Sequence, residues 1–210
     1  MRRLYFTIYA VFLILFGLLG YLVHKSYDLP GDVAISDWFT GIKLPFVDSL
    51  MRAVSSIGDT IPAVIIVLFV VTVLLFFKRR LEALYVAALL SLAALFIWLI
   101  KVLVDRPRPG YELLGNGGLS FPSGHVSYIV VLLGFLIYLL PGLVKHRVIV
   151  TALQAIMVIL ILLMMASRIY LGEHWPSDVL GGIMLGGLML VPVIILYNKY
   201  TAGRKDAGAA

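Results

Sequence analysis

Six unbroken apolar stretches, over residues 4–23, 61–77, 84–100, 126–144, 148–166 and 179–197, constrain this chain more than any other feature. Each is 17 to 20 residues long. At about 1.5 Å of rise per residue, a helix of that length crosses the ~30 Å hydrocarbon core of a bilayer. Lipid offers no partner to backbone N–H and C=O groups, so only helices and closed barrels span it. Barrel strands alternate apolar and polar residues, and these runs do not. The expected fold class is all-α, a polytopic membrane bundle of six transmembrane helices. Hydrophobic residues make up 62% of the chain and charged residues 13%. Soluble domains carry about 25% charged residues, so a soluble globular domain is excluded, and so is a disordered chain.

The first stretch follows Met1-Arg2-Arg3, as a signal peptide would. Its apolar core exceeds the ~7–15 residues of such a peptide and no small-x-small site follows it. An uncleaved span is therefore expected. Residues 1–199 then form one membrane domain and residues 200–210 a cytoplasmic tail. Between the first two spans, Phe46, Val47, Leu50, Met51 and Val54 share one helical face, with Asp48, Ser49, Arg52 and Ser55 opposite. Pro45 suits a helix start. A short helix over 46–54 follows, either lying in the membrane interface or packing on the bundle. Gly182 and Gly186 stand four apart in the last span, a spacing that lets helices approach closely.

Lysine and arginine between spans set orientation. Arg2, Arg3, Lys78, Arg79, Arg80, Lys145, Arg147, Lys199, Arg204 and Lys205 fall on one side, ten in all. Lys25, Lys43, Arg52, Lys101, Arg106, Arg108 and Arg168 fall on the other, seven in all. Both termini are thus expected in the cytoplasm of a multi-pass cell-membrane protein. The same scatter of basic residues explains the net charge of +6 without a nucleic-acid partner. The chain has no cysteine, which removes disulfides, thiolate metal sites and a cysteine nucleophile.

The polar residues converge on the outer side. Span three ends at Lys101. The next loop holds Asp105, Arg106, Arg108 and Glu112, then Pro122-Ser123-Gly124-His125 opens span four. Span five ends at Ser167-Arg168, and Glu173, His174 and Asp178 precede or open span six. Polar convergence at a membrane boundary marks function. Three cations, a hydroxyl and a helix start make an anion site, because guanidinium forks match phosphate oxygens and helix-start amides point at the ligand. Gly124 lets the backbone come close. Two histidines beside it suit nucleophilic and acid–base work. Asp178, four residues after His174, would share a helical face with it and hold its tautomer. His125, His174, Glu173 and Asp178 would also suit zinc, but three nearby cations disfavour a divalent ion and no HExxH motif appears. No metal or cofactor is expected. Each residue alone has an ordinary structural explanation, such as Lys101 and Arg168 offsetting helix C-terminal dipoles. Their combination carries the argument.

Those spacings resemble the signature of the type 2 phosphatidic acid phosphatase family. K-x6-RP is matched from Lys101 to Arg108-Pro109, PSGH by Pro122-Ser123-Gly124-His125, and SR-x5-H-x3-D by Ser167-Arg168, His174 and Asp178. The resemblance implies an acid phosphatase/vanadium haloperoxidase-like helical core and a metal-free lipid phosphatase. It implies His174 as nucleophile, Asp178 as its orienting carboxylate and His125 as general acid and base. Lys101, Arg108, Ser123, Gly124 and Arg168 would hold the phosphoryl oxygens. The substrate would be a membrane lipid phosphate met in the bilayer, phosphatidylglycerol phosphate favoured, with undecaprenyl diphosphate and phosphatidic acid as alternatives. A vanadate-holding haloperoxidase and a non-enzymatic transporter are readings from other classes. Oligomeric state is not legible.

Overall fold

The computed structural model describes residues 2–42, 44–109 and 118–207, with side chains over 6–42, 44–109 and 118–202. Lys43 and Glu112 lie outside the described residues, as do the side chains of Arg2, Arg3, Arg204 and Lys205. The described residues form eight helices: α1 (Arg2–Lys25), α2 (Asp32–Thr40), α3 (Pro45–Ser56), α4 (Thr60–Phe76), α5 (Arg80–Val104), α6 (Gly124–Leu143), α7 (Arg147–Tyr170) and α8 (Pro176–Ala207).

Five helices are individually long and apolar enough to cross a membrane: α1, α5, α6, α7 and α8. The sixth candidate span is a bent pair. Helices α3 and α4 meet that test only together, with a 60° bend between them. Helix α4 alone has 17 residues, and Gly58 and Asp59 lie at the corner. Helix α3 starts at Pro45 and buries Met51, Val54 and Ser55 against α7, while Phe46 and Leu50 stay exposed. Helix α8 runs on to Ala207, past the point where the sequence predicts a tail.

Helix α6 is central and packs on α8, α7 and α5. The α6–α8 seam is close because it is lined by glycine. A Cβ added to Gly186 would stand 2.5 Å from Val130 Cγ1, and one at Gly182 would stand 3.0 Å from the Ser123 carbonyl oxygen. In lipid such small-residue contacts replace the hydrophobic effect as the packing force between helices. The main core gathers Val86, Val126, Val131, Phe135 and Met164. A second cluster joins Phe16 and Val23 of α1 to Phe121, Met184 and Leu185. Large side chains such as Phe69, Trp98, Leu103 and Leu162 point outward, as a bilayer-facing surface requires.

Candidate active site

The predicted site residues sit at helix ends or in the loops just beyond them. Lys101 lies in the last turn of α5, which Asp105 caps in a left-handed conformation at φ 50°. The chain beyond the cap pairs with residues 118–120 through a bridge between Pro107 and Leu119 and a 2.7 Å bond from Ser120 N to the Arg106 carbonyl. Lys101 Nζ donates to the carbonyls of Leu119 and Ser120. Ser123 is the N-cap of α6, and its backbone N–H donates to the Asp178 carbonyl at 3.0 Å. That bond ties the start of α6 to the start of α8. A Cβ on Gly124 would meet Ile97 at an ordinary 3.6 Å, so packing within the protein does not demand a glycine there.

Arg168 is in the last turn of α7. Its carbonyl accepts from the backbone N–H groups of both Glu173 and His174 at 3.2 Å, which folds the α7–α8 loop back over it. His174 Nδ1 lies 3.3 Å from Asp178 Oδ2. The pair forms as expected, but not on one helix. Helix α8 starts only at Pro176, because proline suits the first helical position, and His174 precedes it. Asp178 then stands at the third helical position, where its Oδ2 accepts from the Trp175 N–H at 2.9 Å. This is the return half of a capping box. The arrangement aims one carboxylate at both the helix start and the imidazole.

His174 is 1% exposed. Burial pushes its imidazole down to about 4, against the opposing pull of Asp178. The ring is therefore neutral at pH 7. Asp178 accepts at Nδ1, so Nε2 carries the free lone pair.

The electrostatic anchor of Asp178 was not expected from the sequence. Arg106, fully buried, donates from Nη1 to Asp178 Oδ1 at 2.6 Å and from Nη2 to Asp32 Oδ2 at 2.7 Å. It also bonds Ser177 Oγ at 2.8 Å and the Tyr27 carbonyl at 2.6 Å, and its guanidinium lies 5.7 Å from the Trp175 ring centroid. Asp32 Oδ1 accepts from Ser177 N at 2.9 Å. A buried ion pair needs this density of partners to offset desolvation. Within the K-x6-RP match Arg106 is an unspecified position, and nothing local links it to Asp32 or Ser177.

His125, in the first turn of α6, donates from Nε2–H to Asp59 Oδ1 at 3.0 Å. Gly58 makes room for its ring, since a Cβ there would stand 2.4 Å from His125 Cδ2. The same corner reaches Arg168: Gly58 N donates to the Ser55 carbonyl, and Arg168 Nη1 bonds Ser55 Oγ. Glu173 Oε2 bridges the two arginines, accepting from Arg108 Nη1 at 3.1 Å and from Arg168 Nη2. Burial raises the Glu173 carboxyl, but Arg168 and Arg108 outweigh it and hold the group below its ordinary value. Asp59 lacks any sequence signal, and Ser55 appears in sequence only on the polar face of the 46–54 helix, although the structure buries it with Met51 and Val54. Glu173 appears in sequence only as a neighbour of His174.

Five buried side-chain polar atoms have no hydrogen-bond partner among the described residues, and Arg108 Nε, Ser123 Oγ and Arg168 Nε are three of them. Buried polar atoms are nearly always satisfied. Three orphan donors, all on residues of the predicted phosphate set, leave bonding capacity suited to an oxyanion. No group of three or more His, Cys, Asp or Glu side chains placed to hold a metal ion occurs among the described residues.

The profile of the PAP2 superfamily matches residues 82–202. Phosphatidylglycerophosphatase B of Bacillus subtilis (strain 168) is 27% identical over 179 residues, covering 83% of this chain and 87% of that one. The putative undecaprenyl-diphosphatase YbjG of Escherichia coli (strain K12) is 30% identical over 119 residues, 54% of this chain and 56% of that one. The crystal structure of the transmembrane PAP2-type phosphatidylglycerolphosphate phosphatase from Bacillus subtilis superposes with a TM-score of 0.78 at 26% identity, over 91% of this chain and 96% of that one. Aquifex aeolicus LpxE shares the fold, with a TM-score of 0.64 at 20% identity over 80% of this chain and 98% of that one. The chain belongs to the PAP2 superfamily and is a multi-pass membrane protein.

Proposed function

We propose that this PAP2 superfamily lipid phosphatase hydrolyses phosphatidylglycerol phosphate without a metal ion, through a phospho-histidine. The three orphan donors beside a neutral, carboxylate-held histidine carry the reading. The likeness to phosphatidylglycerophosphatase B, spanning most of both chains, favours this lipid. The likeness to a putative undecaprenyl-diphosphatase covers little more than half of each chain and ranks second.

His174 Nε2 attacks phosphorus while the bond to the lipid oxygen breaks. Asp178, held by Arg106, balances the charge that grows on the imidazole. His125, beside Asp59, gives its proton to the departing oxygen, so that oxygen leaves as the glycerol hydroxyl of phosphatidylglycerol. His125 then takes a proton from water, whose oxygen attacks the phospho-histidine. Inorganic phosphate leaves and both histidines return to their starting states. Lys101, Arg108, Ser123, the Gly124 amide and Arg168 hold the three peripheral oxygens. Phosphoryl transfer gains most from such positioning and charge stabilisation.

Both termini lie in the cytoplasm, by the excess of lysine and arginine on that side, and the site opens near the extracytoplasmic face. There a lipid headgroup reaches it while the acyl tails stay in the bilayer.

The test is phosphate release by purified protein in detergent with excess EDTA. The panel is phosphatidylglycerol phosphate, undecaprenyl diphosphate and phosphatidic acid, each beside His174→Ala. Release that survives EDTA, vanishes in the variant and is fastest with phosphatidylglycerol phosphate is expected. Loss of activity on chelation would sink the mechanism.

A further inference from the structure

Glu173 has no part in the reaction above, yet it occupies a commanding position. Its Oε2 bridges Arg108 and Arg168. Arg168 is 1% exposed and Glu173 is 41% exposed. The carboxylate therefore lies on the solvent side of the Arg168 guanidinium, while the Nε atoms of Arg108 and Arg168 remain without partners among the described residues. A second carboxylate, Asp59, is 58% exposed and faces His125. Two exposed acidic groups thus stand beside Arg108, Arg168 and His125.

We propose that Glu173 is a specificity-determining residue that makes this site select a phosphate monoester over a diphosphate by charge. The inference rests on the phosphatase reading. Lys101, Arg108 and Arg168 supply three positive charges and Glu173 one negative. The scissile phosphate of a monoester adds about two negative charges near pH 7, which with Glu173 brings the sum over these groups to zero, the diester charge of phosphatidylglycerol phosphate lying a glycerol further out. A diphosphate adds a further ionised oxygen on its inner phosphoryl group.

The leaving groups sharpen the difference. In the monoester, the phosphorus–oxygen bond to the lipid breaks and the oxygen takes the His125 proton, so it leaves as a neutral hydroxyl, and in phosphatidylglycerol the remaining charge sits on the diester beyond the glycerol. In the diphosphate, the bridging oxygen takes that proton but departs on a phosphoryl group that keeps its charge. That anion must pass Asp59 and Glu173. Like charges brought together across an interface discriminate strongly, more so where low dielectric weakens screening. Glu173 is the residue to test, because Asp59 also bonds His125 and its loss would disturb the reaction itself.

The experiment compares kcat/KM for farnesyl phosphate and farnesyl diphosphate in detergent, with wild type, Glu173→Gln and Glu173→Asp. Wild type is expected to prefer the monophosphate. Glu173→Gln should raise the diphosphate-to-monophosphate ratio about tenfold, equivalent to about 1.4 kcal/mol, and Glu173→Asp should keep the wild-type ratio. A Glu173→Gln ratio that is unchanged or lower overturns the proposal while the phosphatase reading stands, as does a wild-type preference for the diphosphate. If Glu173→Gln turns over neither substrate, thermal protection by pyrophosphate relative to inorganic phosphate reads the same selectivity through binding. A relative gain for pyrophosphate in the variant supports the proposal, and no gain overturns it. Wild type that releases phosphate from neither farnesyl compound nor any lipid of the panel removes both readings together.

Discussion

His174 Nδ1 and Asp178 Oδ2 are 3.3 Å apart, although only Asp178 belongs to a helix. The carboxylate is committed on both oxygens, to Arg106 through Oδ1 and to the Trp175 N–H and His174 through Oδ2. It cannot rotate away, so the imidazole keeps its Nδ1–H tautomer. Asp178→Asn presents a different bonding face and should lower kcat by about 10⁴-fold, as loss of an orienting carboxylate does elsewhere, with KM little changed. His174→Ala should abolish turnover. Steady-state kinetics on the preferred lipid checks both; a KM effect without a kcat effect would assign Asp178 to binding instead.

Arg106 is a positioning residue that acts through Asp178. Asp32→Asn weakens its second ion pair without touching the reacting groups, so kcat should fall while KM holds. Arg106→Met leaves Asp32 and Asp178 buried and unpaired, and loss of one partner from a buried ion pair costs about 3–5 kcal/mol. Thermal unfolding in detergent should show that loss clearly, and a variant as stable as wild type would refute the anchoring role.

Gly58 sets the place of the His125 ring. In Gly58→Ala the new methyl would stand 2.4 Å from Cδ2, which no ordinary contact allows, so the ring must move. A displacement of about 1 Å can cost about 10²-fold in rate. The expected outcome is that fall in kcat with helix content preserved by circular dichroism.

Acidification should destabilise the protein through His174. The folded group titrates at about 4, and an unfolded histidine near about 6.5. Between those values the unfolded chain holds one more proton, so unfolding free energy rises with pH and falls on acidification. The slope is about 1.4 kcal/mol per pH unit, and the loss is complete below the folded value. Thermal midpoints from pH 7 to 4.5 should drop more steeply for wild type than for His174→Gln.

The absence of cysteine makes orientation directly measurable. Ser49 and Ala202 are both exposed. In intact cells a membrane-impermeant maleimide should label Ser49→Cys at once and Ala202→Cys only after permeabilisation. The opposite pattern would invert the topology.

The apolar runs predicted the helices that matter because a hydrocarbon solvent forces every backbone bond inside the segment, which leaves one solution per run. The exception is instructive. The run over 61–77 qualifies as a span only together with α3, and a 17-residue helix lies at the short limit where length alone does not decide. Helix α2 was invisible because it is short and mixed in character, and it proves important by carrying Asp32.

Within the site, the sequence by itself determined which chemistry is present: two histidines, a carboxylate four residues from one of them, and cations and a hydroxyl at helix ends. Short spacings survive folding, since a helix start and a tight loop bring close neighbours together whatever lies around them. Only the tertiary structure decided who holds these groups in place. Arg106 meets Asp32 across 74 positions, His125 meets Asp59 across 66, and Arg108 meets Glu173 across 65. No periodicity encodes such pairs. The buried Arg106–Asp32 pair forms because the desolvation of a charge beneath packed helices is tolerable only beside its counter-charge, and for all three pairs the partner within reach is set by how the helices pack.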